Sequence, residues 1–159
     1  MDAREQSIKF LEEVISFFGV NVLVEAEEDE EEGVITLNVP STRLNGFFIG
    51  QNGENLRALQ HLTNMSLRRN GIEGINVTVD VAGYKKQRNE RLARNAAKVA
   101  EEVIASGEPH EMRPMSSYER RVVHKALGEI EGVETESAGV GRDRHVVIKK
   151  SESVASEEE

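Results

Sequence analysis

Two short patterns in this chain hold residues of the kind that contact a ligand. The first is Ile49-Gly50-Gln51-Asn52-Gly53-Glu54-Asn55-Leu56, with two glycines three positions apart. Glycine admits left-handed or strained backbone and lets a ligand approach bare main chain. A helical pattern begins directly after it, and a helix start carries unpaired N–H groups and a partial positive charge. Together these features suit an anion, above all a sugar-phosphate backbone. A Gly-x-x-Gly turn between two packed helices also forms without a ligand, so the spacing alone leaves both readings open. The second pattern is Arg120-Arg121-Val122-Val123-His124, with Arg and His one helical turn apart.

Catalytic arrangements are harder to find. His61, His110, His124 and His145 are scattered, with no His-x-x-x-His pair or carboxylate partner at metal-ligand spacing. Ser116 and Ser117 are explained as helix caps rather than nucleophiles. Asp80 and Asp143 have no second acid at a fixed spacing. The chain has no cysteine, which removes disulfides and cysteine-based zinc sites. No metal, no cofactor and no enzymatic activity is expected.

The elements that must position these residues are set by a chain of 159 residues, 38% hydrophobic and 31% charged. That length holds one ordinary domain or two small ones. No apolar run approaches the ~20 residues of a membrane helix, and the N-terminus lacks a signal-peptide layout. A soluble, cytoplasmic protein is expected. The net charge of −9 is unevenly spread. Residues 1–82 carry 6 Lys/Arg against 14 Asp/Glu, residues 83–150 carry 14 against 11, and the last nine add four acids and no base. Glu27, Glu28, Asp29, Glu30, Glu31 and Glu32 read as a solvated acidic turn. A polyanion must therefore meet a local basic surface.

In chain order, Ile8, Leu11, Val14, Ile15 and Phe18 predict an amphipathic helix closed by Gly19. Val20, Val22 and Val24 predict a strand, the acidic run a turn, and Gly33 to Val39 a second strand ended by Pro40. Ser41 or Thr42 is placed to cap a short helix reaching Ile49. Beyond the glycine turn, Leu56, Leu59, Leu62, Thr63 and Leu67 predict the buried side of a helix, with Met65 at its margin. Arg57, Gln60, His61, Asn64 and Arg68 lie on its polar side. Ile75 to Val81 alternates as a strand. A long helix covers about Tyr84 to Ala105, its first half dense in base (Lys85, Lys86, Arg88, Arg91, Arg94). Ser116 to Glu119 forms a capping box for a helix with Val122, Val123, Ala126, Leu127 and Ile130 inward. Val133 to Ala138 and Arg144 to Lys149 read as strands around a glycine turn, and residues 151–159 as a disordered acidic tail.

The succession of these elements carries a resemblance. Ile49 to Leu56, between two helices with a strand on either side, resembles the Gly-x-x-Gly segment of a KH domain. The helix and strand placed first make it similar to the bacterial, type II arrangement. Arg120-x-x-x-His124, on a capped helix before a hairpin, resembles the R-three-H domain. The segment Ser117 to Leu127 is similar to the Jag family, also called SpoIIIJ-associated or KhpB proteins. The two matches together cover about residues 1–150.

That resemblance implies an α+β protein: a type II KH-like domain over 1–83 (αβ-βααβ), a connecting helix over 84–108 and a small R-three-H-like domain over 109–150. It implies a bacterial protein binding single-stranded RNA, a post-transcriptional regulator linked to cell division or envelope processes. KH domains clamp about four nucleotides. By position Gly50, Gln51, Asn52 and Gly53 would be the clamp, with Ile49 and Leu56 anchoring it, Arg57 beside it, and Val77 or Val79 lining a groove. Arg120 and His124 would lie on the second module's RNA surface, with Arg121, Lys125, Arg142, Arg144 and His145 as neighbours; for His124 a structural hydrogen bond is the competing role. A small single-KH protein or a second copy of the chain is implied as a partner, as is a peripheral link to the membrane insertase. The alternative function is an adaptor whose KH face dimerises or docks such a partner. Two departures stand out. The turn holds Gln51-Asn52 where relatives usually carry Lys or Arg, so counterion release contributes little there. Many members also carry a further domain ahead of the KH helix, whereas this chain begins almost at that helix.

Overall fold

The computed structural model describes residues 1–152, and the chain divides into two compact units, Met1–Lys85 and Lys86–Glu159. The expected tail lies outside the described residues from 153 onward. Ser151, assigned to that tail from sequence, is instead buried, and its N–H donates to the carbonyl of Gly132 at 2.9 Å.

The first unit runs α1 (Ala3–Ser16), β1 (Glu25–Asp29), β2 (Val34–Val39), α2 (Asn45–Ile49), a 3-10 turn (Gln51–Gly53), α3 (Glu54–Arg69) and β3 (Asn76–Val81). Its sheet has the order β1-β2-β3, with β1 antiparallel and β3 parallel to β2. The alternation of β2 and β3 works as a period of two requires: Ile35, Leu37, Val39, Val77, Val79 and Val81 are all buried. Leu11 and Ile15 of α1 and Leu56, Leu59 and Leu67 of α3 complete that core.

The first strand differs from expectation. Val24 is buried and Val20 and Val22 pack against the core, so the alternation is real, but this segment joins no ladder among the described residues. The register opposes Glu25 to Asn38, so a longer ladder would set Leu23 against Pro40, which has no N–H to donate. The N–H of Val24 goes instead to the Glu12 carboxylate at 2.8 Å. The ladder is thereby displaced into the acidic run. Glu27, Glu28 and Asp29 are strand, and Asp29 Oδ1 accepts from the N–H groups of Glu31 and Glu32, closing the turn. Charge on an exposed edge strand discourages pairing with another chain.

On α3 the buried side is shifted from the predicted one. Asn64, assigned to the polar side, is buried, while Leu62 and Met65 are exposed. The reason lies in β3, whose outer edge points Val77 N–H and C=O toward α3. The Asn64 amide answers both, at 2.8 and 2.7 Å, and Gln60 Oε1 accepts from Val79 N–H at 3.1 Å. A polar side chain inside the core is stable when its hydrogen bonds are met.

The second unit contains most of α4 (Tyr84–Ser106), then β4 (His110–Glu111), α5 (Ser117–Leu127), β5 (Val133–Ala138), a 3-10 turn (Gly141–Asp143) and β6 (His145–Lys150). Its sheet is antiparallel with the order β4-β6-β5. Rather than standing apart as a connector, α4 supplies Ala96, Ala100 and Val103 to a core with Val123, Leu127, Val146 and Ile148. Two residues of β4 offer no periodicity, so that strand had no signal in the sequence.

Candidate nucleic-acid interface

The glycine turn is built by strain that only glycine relieves cheaply. Gly50 takes φ 70° and ψ −177°, and Gly53 takes φ 78°. A Cβ on Gly50 would lie 2.7 Å from Asn55 Cγ. Asn55 needs that space because its Nδ2 donates to the Phe47 carbonyl at 2.7 Å, tying the end of α2 to the first turn of α3. Between the glycines, Gln51 and Asn52 are exposed, and Asn52 sits in the left-handed region at φ 53°. Gly53 caps α3 without a side chain, and of the helix's first N–H groups that of Glu54 turns back to the Gln51 carbonyl.

Two expectations about this turn change. Gly53 is not an exposed clamp residue: it is buried, and a Cβ there would lie 3.2 Å from the Tyr84 ring. Nor does the turn lack a cation. Arg57, one turn into α3, donates from Nη1 to the Asn52 carbonyl at 3.1 Å, so its guanidinium rests on the turn. Arg57, placed beside the turn from the sequence, thus brings to it a cation that Gln51-Asn52 does not supply.

The acidic charge of this unit sits elsewhere. The acidic turn leads into the start of β2, whereas Arg43 and α2 follow its end. Tyr84, which covers Gly53, follows the matching end of the parallel strand β3. Six strand residues span roughly 20 Å, about twice the screening length at physiological salt. The negative run therefore bears weakly on the glycine turn, although Glu54 stands in the first turn of α3.

Val77 and Val79 do not line a groove. Both side chains are buried, and the strand edge beside them is filled by Asn64 and Gln60. The signal for this was the Gln60-x-x-x-Asn64 spacing, read from sequence as a solvated face.

In the second unit the capping box is complete: Ser116 Oγ accepts from Glu119 N–H, and Glu119 Oε2 accepts from Ser116 N–H. Glu119 Oε1 also takes two donors from Arg88 of α4. Burial alone would raise the Glu119 carboxyl; the Arg88 hydrogen bond and charge, with the Ser116 N–H and hydroxyl, outweigh it and hold it below the usual 4.5. Arg88 is thus committed to the fold rather than to a free basic face. Lys86, Arg91, Arg94 and Lys98 lie at or near the surface of α4.

Along α5, Arg121 and Lys125 are exposed. Arg120 is half-buried, and its Nε is closed off from solvent with no acceptor in reach among the described residues. His124 belongs to the packing. Its Nδ1 lies 2.7 Å from Thr135 Oγ1 and its Nε2 2.9 Å from Ser137 Oγ, so both ring nitrogens pin β5 to α5. The structural role thus explains both ring nitrogens, and the Arg-x-x-x-His spacing brings together one surface-flanking cation and one internal tie. At the hairpin, Arg144 Nη1 donates to the Gly139 carbonyl, His145 Nδ1 lies 2.7 Å from the Asp143 carbonyl, and Arg142 is exposed. Among the described residues, no three His, Cys, Asp or Glu gather at metal-binding spacing, and no helix is long and apolar enough to cross a membrane.

Comparison with known proteins adds an independent line. Residues 90–150 match the R-three-H domain family. The chain is 31% identical over 145 residues to RNA-binding protein KhpB of Clostridium symbiosum, covering 91% of this chain and 65% of that protein. It is 34% identical over 129 residues to the protein of that name in Lactiplantibacillus plantarum, covering 81% and 40%. For the Bacillus subtilis protein the identity is 37% over 102 residues, covering 63% and 49%. The chain therefore spans about two fifths to just under two thirds of these relatives' lengths.

Proposed function

Because the chain belongs to the KhpB (Jag) family, we propose that it binds single-stranded RNA through two chemically different modules. The observation that carries this is the glycine turn: exposed Gln51 and Asn52, first-turn N–H groups of α3 without a side-chain acceptor, and the Arg57 guanidinium against the same turn. A phosphate there would meet backbone donors, a helix N-terminus and one cation. The αβ-βααβ order of the first unit, with this turn between α2 and α3, supports reading it as a type II KH-like domain. In the second unit Arg121 and Lys125, with Arg120 at their flank, supply charge for further phosphates. Gly50 and Gly53 serve by shaping the turn, and His124 by holding β5. Arg144 rests on its own hairpin and flanks the surface.

Fluorescence anisotropy with a labelled single-stranded RNA, and with the duplex of the same sequence, tests the reading. Single strands should bind more tightly, with log affinity falling by roughly 0.7 per phosphate contacted for each decade of salt. Equal binding to the duplex, or no salt dependence, would count against it. A cytoplasmic place and a regulatory link to division or envelope processes belong to the same proposal and draw on the family resemblance alone. A second reading, docking of a single-KH protein or another copy, is favoured by the exposure of Leu62 and Met65 on α3. Sedimentation of the chain with and without RNA separates the two.

A further inference from the structure

The chain has five Phe and two Tyr, and four of these rings are exposed: Phe17, Phe18, Phe47 and Tyr118. Large aromatic rings are ordinarily kept mostly inside, so this distribution calls for a cause. The exposed rings of Phe18 (45%) and Phe47 (51%) touch, with centroids 5.0 Å apart at 54°. Beneath them lies Phe48, fully buried, with its centroid 5.8 Å from Phe18 and 5.7 Å from Phe47. Two surface rings thus stand on a third that is anchored in the core.

The backbone bearing Phe47 is fixed at both ends. Ahead of α2, Asn45 Oδ1 accepts from Thr42 N–H at 2.7 Å and its Nδ2 donates to Ser41 Oγ at 2.8 Å. At the other end Asn55 holds the Phe47 carbonyl. The expected Ser41 or Thr42 cap is replaced by this arrangement, since the residue before α2 is Leu44, which makes no side-chain cap. Phe47 lies three residues ahead of Gly50, one helical turn from the proposed phosphate site. Cations stand on both flanks. Arg57 rests on Asn52, and Arg43 reaches the Gly19 carbonyl, next to Phe18, at 3.4 Å.

We propose that Phe47, backed by Phe18, is a stacking platform for one nucleobase of the strand whose backbone crosses the Gly50–Gly53 turn. This rests on the RNA-binding reading and adds a second kind of contact to it. An aromatic face accepts any base, because every base has a π-face. The platform therefore contributes affinity without sequence preference. It also compensates for the small charge contribution at this turn.

Since the chain contains no tryptophan, Phe47→Trp introduces a single reporter. Its emission should be quenched as a single-stranded RNA is added, saturating together with the anisotropy of the labelled strand. Phe47→Ala and Phe47→Leu should bind roughly tenfold more weakly, whereas Phe47→Tyr should bind as the parent does. Circular dichroism should show all four variants folded, because half of the Phe47 side chain already faces solvent. Binding at parental affinity without quenching, or a Leu variant equal to the parent, would overturn the platform and leave RNA binding intact. No anisotropy change for the parent chain would overturn the RNA reading and the platform with it. Emission that shifts with protein concentration alone, with Phe47→Ala converting a dimer to monomer, would assign the face to a second copy instead.

Discussion

On the proposed reading, the two units would meet the same polyanion with different means. In the first, a net acidic unit would offer a phosphate its main chain: a strained turn, a helix start with no N-cap side chain and one arginine resting on the turn carbonyl. In the second, a unit of nearly balanced charge presents Arg121 and Lys125 on a helix whose own start is already satisfied by Ser116 and Glu119. The contrast lies in the caps: α5 is closed by a capping box of side chains, whereas α3 has no N-cap side chain and the Glu54 N–H turns back to the Gln51 carbonyl. The acidic run of the first unit lies at the far end of β2 from the glycine turn, so net charge alone describes that turn poorly.

Variants can break or sharpen that contrast. The largest effect is expected from Gly53→Asp. Its φ of 78° strains any side chain, and the Tyr84 ring at 3.2 Å must shift to admit one, so the first unit should lose roughly 2 kcal/mol in urea denaturation. A fully stable Gly53→Asp would mean that the turn is less constrained than its geometry states. Next comes His124→Ala, which removes two hydrogen bonds to β5 and should cost the second unit about 2 kcal/mol. If this variant kept its stability but lost RNA affinity, the histidine would belong to the surface after all.

Glu119→Gln should cost about 1 kcal/mol near neutral pH, since half of the capping box and a partly exposed ion pair are weakened together. Because the folded Glu119 carboxyl lies below its usual 4.5, its contribution is present above that value. It is lost as pH falls through the lowered folded value. The difference between parent and Glu119→Gln should therefore shrink on acidification, and a difference that grew would contradict the direction of the shift.

The smallest effect is the most diagnostic. Arg57→Ala and Arg121→Ala should each lower the magnitude of the salt slope of RNA binding by roughly 0.7, whereas Gln51→Ala should leave it unchanged. A change of slope in Gln51→Ala would break the distinction between a turn that binds by geometry and a helix that binds by charge.

Much of the architecture was legible. Hydrophobic alternation marked β2 and β3 almost to the residue, the glycine turn placed β5 and β6 on either side of it, and Ser116-x-x-Glu119 located the start of α5. The misplaced β1 shows where such reading stops. Val20, Val22 and Val24 have the right side-chain alternation, but a strand also needs a partner, and Pro40 and Glu12 removed it. At the candidate site the residue types were legible and their roles were not. Gly53, Arg57, Arg88 and His124 each turned out to be engaged by a group that no local pattern names.

The linear order of residues was enough to determine what depends on near neighbours: helix periods, the cap of α5, the glycine turn and the uneven charge. Tertiary structure alone decided which of those residues are engaged inside the fold and which are left exposed. Tyr84 over Gly53, Glu119 on Arg88 and the β5 hydroxyls on His124 join positions 31, 31, 11 and 13 residues apart. Such pairings follow from strand register and helix packing, and a window of a few residues contains neither.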